Sequence, residues 1–534
     1  VLMFFAKIVQ MSGMTKEKWK IKRFYYLCGI IICLIYIFLL TLRKLYMPMN
    51  MKKEIIGREK EQKELRSWID SDDSEFIAVY GRRRIGKTFL VRKLFGSDFA
   101  FYVTGLDNVT LQEQLLNFTV ELRKFSGNDD LDVPENWLIA FVELSKYLEK
   151  LPKGKKIIFI DEIPWMDTPR SNFISALEHF WNSWASARED IKLIVCGSAT
   201  SWMLSKLINN RGGLHNRLTH RIALAPFNLH ECEEYFSANG FNYSRKEIAE
   251  CYMVMGGVPY YLRQMEKGLS VAQNIDHLFF EIGCALDGEF DNLYKALFKY
   301  SANYISIVET LSKKTKGLTR QEIIDSTKLA NNGGLTTMLS ELEACGFIRR
   351  YEPFGKQKKD ALYQLTDFYT LFYFHFIRKN RYRDEQFWTH SLGSAIHRAW
   401  SGYAFEMLCL NHISQIKKAL GINGIQSLTS SWKSATSEKG AQIDLVIDRS
   451  DMTVNLCEIK YSNQPFTITK QYYDTLQTKL SDFLSETKTR KSIMTTFITT
   501  YGLKPNEYSS HVQSEVVLDD LFIFSAHGEY PVRK

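Results

Sequence analysis

Three short apolar runs stand out in the first half of the chain: Phe76-Ile77-Ala78-Val79-Tyr80, Ile157-Ile158-Phe159-Ile160 and Ile191-Lys192-Leu193-Ile194-Val195-Cys196. Each is β-prone and bounded by Gly, Asp or Ser, which reads as a strand. A helical pattern, Phe89-Leu90-Val91-Arg92-Lys93-Leu94-Phe95, follows the first run. Further on, residues 303–313, 318–324 and 335–344 read as helices. Residues 347–351 and 361–365 then read as a hairpin with a charged tip at 355–360. Near the C-terminus, residues 442–447 and 455–461 alternate apolar and polar positions around the turn Asp448-Arg449-Ser450-Asp451 and predict a second hairpin. Residues 401–408 fit an amphipathic helix just upstream.

One run is of another kind. Residues 24–42 are almost uninterruptedly apolar, with basic flanks. As a helix they would span roughly 28 Å, enough to cross a bilayer. Two readings stay open. The segment is a single membrane anchor, which would leave an inner-membrane protein with its nucleotide site in the cytosol. Alternatively residues 1–50 are an extension outside the natural protein, and translation begins near Met51, giving a cytoplasmic protein. The second is the expectation adopted here, because globular sequence begins just after Met47, Met49 and Met51. A membrane is a partner only if residues 24–42 are genuine.

Composition changes this picture little. At 534 residues, 45% apolar and 24% charged, the chain is long enough for several globular domains and is not of disordered type. Its net charge of +9 suggests nucleic acid, but residues 1–50 hold eight Lys/Arg and one acid, so the remainder is nearly neutral. The nine cysteines are scattered, without Cys-x-x-Cys pairs or His at zinc spacing. They read as core residues in a reducing compartment.

The chemistry begins where the first strand meets its helix. Between them stands Gly81-Arg82-Arg83-Arg84-Ile85-Gly86-Lys87-Thr88. Strand, G-x-x-x-x-G-K-T, helix is the context of a phosphate-binding loop. The glycines let backbone N–H groups face phosphates at a helix N-terminus. Lys87 would reach the β- and γ-phosphates of ATP, and Thr88 would ligate Mg²⁺. The second strand ends in Asp161-Glu162. Asp161 would hold Mg²⁺ through water, and Glu162 would polarise the attacking water. The third leads into Gly197-Ser198-Ala199-Thr200, where Ser198, or else Thr200, could touch the γ-phosphate or the water. In Arg211–Arg221, Arg217 is the best candidate for offsetting transition-state charge, in cis or from a neighbouring subunit.

Together with Gly57-Arg58-Glu59, Leu224-Ala225-Pro226-Phe227 and Gly256-Gly257-Val258-Pro259-Tyr260-Tyr261-Leu262, these motifs resemble the AAA+/STAND-type "archaeal ATPase" family of prokaryotic P-loop proteins. The resemblance covers about residues 52–534. It implies an α/β P-loop NTPase core, a parallel five-stranded sheet with helices on both faces, followed by a helical lid. It also implies that Gly57 and Arg58 begin the ATPase module and pack near the adenine. Residues 1–50 have no counterpart in it.

The three helices and hairpin after residue 300 suggest a winged helix-turn-helix. Its third helix carries Thr336, Thr337, Ser340, Glu341 and Glu343 but no Lys or Arg, which opposes DNA contact and favours a packing or regulatory role. In the C-terminal hairpin, a turn centred near residue 451 sets Asp444 opposite Glu458, with Lys460 on the same face. Two carboxylates and a lysine can hold Mg²⁺ and activate water for phosphodiester cleavage, and Glu406 could add a ligand. The trio resembles the restriction-endonuclease-like PD-(D/E)XK arrangement, with Ile443 in place of the signature proline. A cross-strand salt-bridge cluster is the competing reading.

The expected organisation is an N-terminal extension (1–50), a P-loop ATPase core (51–230), a helical lid (231–300), a winged helix (301–380) and a nuclease-like α/β domain (395–534). Two functions fit. In one, ATP binding or turnover controls a C-terminal domain that acts on or binds DNA. In the other, the chain is a nucleotide-dependent switch or scaffold for a protein partner, with an inactive nuclease-like domain. A homo-oligomer is compatible with either.

Overall fold

A computed structural model describes residues 55–208, 216–298, 300–356, 360–380, 383–434 and 441–524. The apolar segment 24–42, Arg211–His215 and part of the hairpin tip therefore lie outside the described residues. Among the described residues, no helix is long and apolar enough to cross a membrane.

The first sheet contains β1 (Glu75–Tyr80), β2 (Phe99–Thr104), β3 (Lys156–Asp161), β4 (Ile191–Gly197) and β5 (His220–Ala223). Its order is β2-β3-β4-β1-β5, and every pairing is parallel. This is the parallel five-stranded α/β core implied by the resemblance. β3 and β4 are buried along their whole length, which explains their lack of polar alternation. The helices of this region are α1 (Glu59–Asp70), α2 (Lys87–Phe95), α3 (Leu111–Ser126), α4 (Trp137–Lys150) and α5 (Phe173–Ser183). α3 to α5 cover one face with Phe118, Trp137, Phe141, Leu144, Phe173 and Phe180. Thr110 and Glu113 form a capping box that starts α3 and satisfies its first free amides.

Helices α6 (Leu229–Ala238), α7 (Arg245–Met255), α8 (Val271–Phe279) and α9 (Glu289–Leu297) follow. Next come α10 (Ser301–Ser312), β6 (Leu318–Thr319), α11 (Arg320–Thr327), α12 (Gly333–Ala344), β7 (Ile348–Tyr351) and β8 (Leu362–Leu365). These three strands make an antiparallel sheet of order β6-β8-β7. Asp367 then N-caps α13 (Phe368–Phe372), accepting from the Thr370 amide at 2.9 Å.

The C-terminal region runs α14 (Ala395–Asn411), α15 (Ile413–Ala419), β9 (Ser427–Lys433), β10 (Gln442–Arg449), β11 (Thr453–Lys460), α16 (Lys470–Thr487), β12 (Ser492–Thr499) and β13 (Ser514–Val517). Its sheet order is β13-β12-β11-β10-β9. β9, β10 and β11 are antiparallel; β12 and β13 join parallel to β11. Leu445, Ile447, Cys457 and Ile459 belong to one apolar cluster with Phe405 and Met407 of α14. Val446, Val454 and Leu456 belong to another with Phe483 of α16. The hairpin thus has two apolar faces. The single polar face read from its alternation is lost, because α16 covers the side expected to be open. Cys196, Cys232, Cys251, Cys345, Cys409 and Cys457 are buried thiols.

Candidate active site

The sheet order brings the ends of β1, β3 and β4 side by side, and the loop after β1 turns directly into α2. Gly81 sits at φ +145, and a Cβ there would come within 2.3 Å of the Leu224 carbonyl oxygen. Gly86 N-caps α2 at φ +92. Both positions require glycine. Lys87 is the first residue of α2. Its ammonium donates to the carbonyls of Gly81 and Arg82, each at 2.9 Å. Thr88 Oγ1 donates to Asp161 across 2.9 and 3.1 Å.

Asp161 is buried at the end of β3. Burial pushes its carboxyl above the ordinary range. The Thr88 hydrogen bond works against that rise, and the neighbouring Glu162 charge adds to it. Glu162 adopts the left-handed conformation, φ 45, and its backbone N–H donates to Asp161 at 3.0 Å. That turn sends the Glu162 side chain toward β4. There Oε2 accepts from the Ser198 amide at 3.1 Å and hydroxyl at 2.8 Å. A hydroxyl beside a carboxylate is a hard-oxygen donor set of the kind Mg²⁺ takes, and Thr88 and Asp161 are the residues that would hold it.

Other expected residues stand elsewhere. Arg58 is buried, and its guanidinium donates to the Ala225 carbonyl at 2.5 Å and lies over the Phe227 ring. Its amide meets Glu231 at 3.1 Å, and a Cβ on Gly57 would strike the same side chain at 2.8 Å. This pair therefore clasps the start of α6. Two phosphate-loop arginines also turn away from the loop. Arg82 forms a buried ion pair with Asp367 and packs on Phe347. Arg84, at φ 74, pairs with Glu289 at 2.7 Å and stacks on Tyr260. Ile85 is buried in the loop, and Arg83 is half-buried. Thr200 is buried after β4 beside Cys345. Arg217 is exposed in the turn before β5.

The C-terminal acids keep the expected register but are paired with lysines. Pairs Leu445–Cys457, Val446–Leu456 and Ile447–Asn455 set a register that, continued, puts position 444 opposite 458. A register shift between Ile443 and Val446 against β9 irregularises that stretch. Glu458 is buried and accepts from Tyr472 Oη at 2.9 Å and Lys479 Nζ at 2.6 Å, both on α16, with Lys460 Nζ at 3.7 Å. Asp444 instead accepts from the Ile459 amide and from Lys316 Nζ, both at 3.3 Å. The same ammonium donates to Glu406 at 2.5 Å. Among the described residues no three His, Cys, Asp or Glu side chains converge to hold a metal ion. Asp444, Glu458 and Glu406 thus form no three-carboxylate cage here. Lysines stand between them and neutralise them.

Sequence reasoning did not single out Lys316, Tyr472, Lys479, Asp367 or Glu289. Asp367 carried a partial signal, since an Asp before an apolar run marks a helix N-cap. Nothing local announces its arginine partner 285 residues upstream.

A glycine loop between a parallel strand and a helix, with a hydroxyl, an Asp-Glu pair and a neighbouring strand-end serine, defines a P-loop ATPase. Residues 55–265 match the family model described as an ATPase domain predominantly from Archaea. The protein is an ATP hydrolase and binds nucleotide. An uncharacterized protein of Methanocaldococcus jannaschii is 25% identical over 433 residues, covering 79% of this chain and 91% of its own. Among solved structures, the Walker-type ATPase of Pyrococcus abyssi is similar at 17% identity, covering 62% of this chain and 98% of its own, with a TM-score of 0.44. The ORC2 protein of Aeropyrum pernix, in ADPNP–ADP complexes, is similar at 13% identity, covering 60% of this chain and 93% of its own, with a TM-score of 0.38.

Proposed function

We propose that this ATPase is Mg²⁺-dependent and that its nucleotide state controls a C-terminal nuclease-like module that binds or cuts DNA. The carrying observation is that Thr88, Asp161, Glu162 and Ser198, from α2, β3 and β4, are joined by direct hydrogen bonds next to the phosphate loop. In this reading the amides of residues 81–88 and the Lys87 ammonium hold the β- and γ-phosphates. Mg²⁺, held by Thr88 and Asp161, supplies charge neutralisation on those phosphates. Glu162 orients the water, Ser198 orients Glu162, and Arg217 meets developing charge from its own or a neighbouring subunit. Gly57 and Arg58 fix the entry to the domain through Glu231 and Ala225. The module boundaries are those read from the sequence: core to 230, lid to 300, winged helix to 380, nuclease-like domain from 395.

Support for the C-terminal reading is the mixed sheet with Asp444 on its second strand and Glu458-Ile459-Lys460 on its third. A second reading, a switch or scaffold with an inactive module, is favoured by the lysines that cap those acids. The test is ATP hydrolysis by the full chain with and without DNA, and DNA cleavage with Mg²⁺ or Mn²⁺, in wild type, Lys87→Ala and Asp444→Ala. DNA-stimulated hydrolysis, with cleavage or binding lost in Asp444→Ala, supports the first reading. No DNA effect on turnover, and no difference between wild type and Asp444→Ala, overturns it in favour of the second.

A further inference from the structure

The two charge contacts just described sit at opposite ends of one small unit. At one end, Asp367, two residues beyond β8, holds the buried Arg82 guanidinium; the side chains are 2% and 5% exposed. Burial alone would favour loss of the arginine charge, but Asp367 outweighs it and raises the pKa. Arg82 is itself tied to the reacting centre, because its carbonyl accepts from the Lys87 ammonium. Its Nε and Nη2 are buried without an acceptor among the described residues. A half-satisfied buried guanidinium is costly, so small shifts of the loop change the energy of this contact appreciably.

At the other end, Lys316, two residues before β6, bridges Glu406 and Asp444. The ends are joined by hard contacts. β6 pairs with β8 in register. Gln364 of β8 donates to the Thr315 carbonyl at 2.5 Å, and Tyr351 of β7 donates to the Lys316 carbonyl at 2.6 Å. A Cβ on Gly317 would strike the Tyr363 carbonyl at 2.5 Å, so the Lys316 loop lies directly against β8.

We infer that Asp367 is a positioning residue of the phosphate loop and that β8 carries its state to Lys316, whose ammonium locks Glu406 and Asp444 in the arrangement seen here. When Lys87 turns to a triphosphate it releases the Arg82 carbonyl. The Arg82–Asp367 contact then shifts, β8 moves with Asp367, and the Lys316 bridge loosens. The acids become available only when the loop is engaged. The inference rests on the proposed control of the C-terminal module and supplies its route.

The experiment is amide hydrogen exchange of the full chain over residues 313–319, with and without a non-hydrolysable ATP analogue and Mg²⁺. Coupling between sites is commonly worth about 5- to 150-fold, so exchange in this segment should rise about tenfold with nucleotide in wild type. Asp367→Asn keeps an N-capping side chain but removes the charge. Analogue binding is measured in the same samples, and with the site saturated this variant should lose the rise. Lys316→Met should show raised exchange without nucleotide. An unchanged 313–319 signal in wild type, an undiminished response in Asp367→Asn, or a protected segment in Lys316→Met each overturns the inference. A flat exchange signal alongside an intact DNA effect defeats the latch and leaves the proposed function standing. A nucleotide-dependent signal with no DNA effect does the reverse.

Discussion

Ser198 donates two hydrogen bonds, from its amide and its hydroxyl, to a single oxygen of Glu162. Both bonds go to the same carboxylate oxygen, so Ser198 restrains the direction in which Glu162 points. Removing the hydroxyl keeps the backbone donor. Hydrogen bonds to charged groups are worth about 1.5–3 kcal/mol. With one of two lost, Ser198→Ala should lower kcat by about tenfold and leave nucleotide affinity near wild type. Glu162→Gln should retain nucleotide and abolish turnover. Steady-state hydrolysis combined with equilibrium binding separates these effects. An unchanged kcat in Ser198→Ala would show that the serine only fills space.

The proposed role of Asp161 in holding Mg²⁺ predicts that Mg²⁺ use depends on pH. Burial is the main cause of the raised pKa of Asp161, so it takes up a proton at a higher pH than an ordinary aspartate. Only the ionised form can hold a cation. Apparent Mg²⁺ affinity in the presence of ATP should therefore begin to fall on acidification at a higher pH than for an ordinary aspartate ligand, with up to one proton released on binding there. The stability effect has the opposite sense. The native state holds this proton more tightly than the unfolded chain, so the group's contribution is present at low pH and is lost as pH rises through the folded pKa. Mg²⁺ titrations across a pH series, with Asp161→Asn removing the dependence, check the first statement.

Much of the geometry of the candidate nucleotide site was legible because its information is local. Gly81, Gly86, Lys87 and Thr88 act through one loop, and Asp161-Glu162 closes an apolar run that must be a buried strand. The hairpin register around Asp444 and Glu458 was legible for the same reason, since a turn near 451 fixes it. The surroundings of those acids were not. Lys316 reaches Asp444 across 128 residues, and Arg82 reaches Asp367 across 285. Whether an acid at a strand end faces solvent, a metal or a lysine depends on what packs over it. Here α16 covers a face that the alternation pattern left open. Two of the three phosphate-loop arginine side chains likewise pair with distant acids, Asp367 and Glu289, which the loop sequence alone does not announce.

Gly257 offers a test of the connection between the first sheet and α7. It lies at φ +67, and a Cβ there would come within 2.1 Å of the Phe227 carbonyl oxygen. The Phe227 amide donates to the Gly257 carbonyl at 2.8 Å, so neither backbone can retreat without breaking that bond. Gly257→Ala should cost about 3 kcal/mol or more, from left-handed strain plus the clash. Gly268→Ala is the matched control: φ is +87 but nothing lies within 4 Å of the added methyl. It should cost only about 1–2 kcal/mol. Thermal melting of both variants against wild type reads the difference, and equal shifts would refute the clash argument.

Glu458 is 4% exposed and accepts from Lys479 at 2.6 Å. Burial of a carboxylate without compensation is expensive, whereas replacing both members of the pair is often nearly neutral. Tyr472 and Lys460 would remain near the acid after loss of Lys479, so the penalty is partial. Lys479→Met should destabilise the chain by about 1–3 kcal/mol, and Lys479→Met/Glu458→Gln should recover most of that loss. Urea unfolding of wild type, both single variants and the double variant gives the coupling directly. If the two changes simply add, Glu458 is not held by Lys479. If the double variant recovers, the lysine is what offsets the burial of the acid, and any cation recruited to Glu458 would have to displace it.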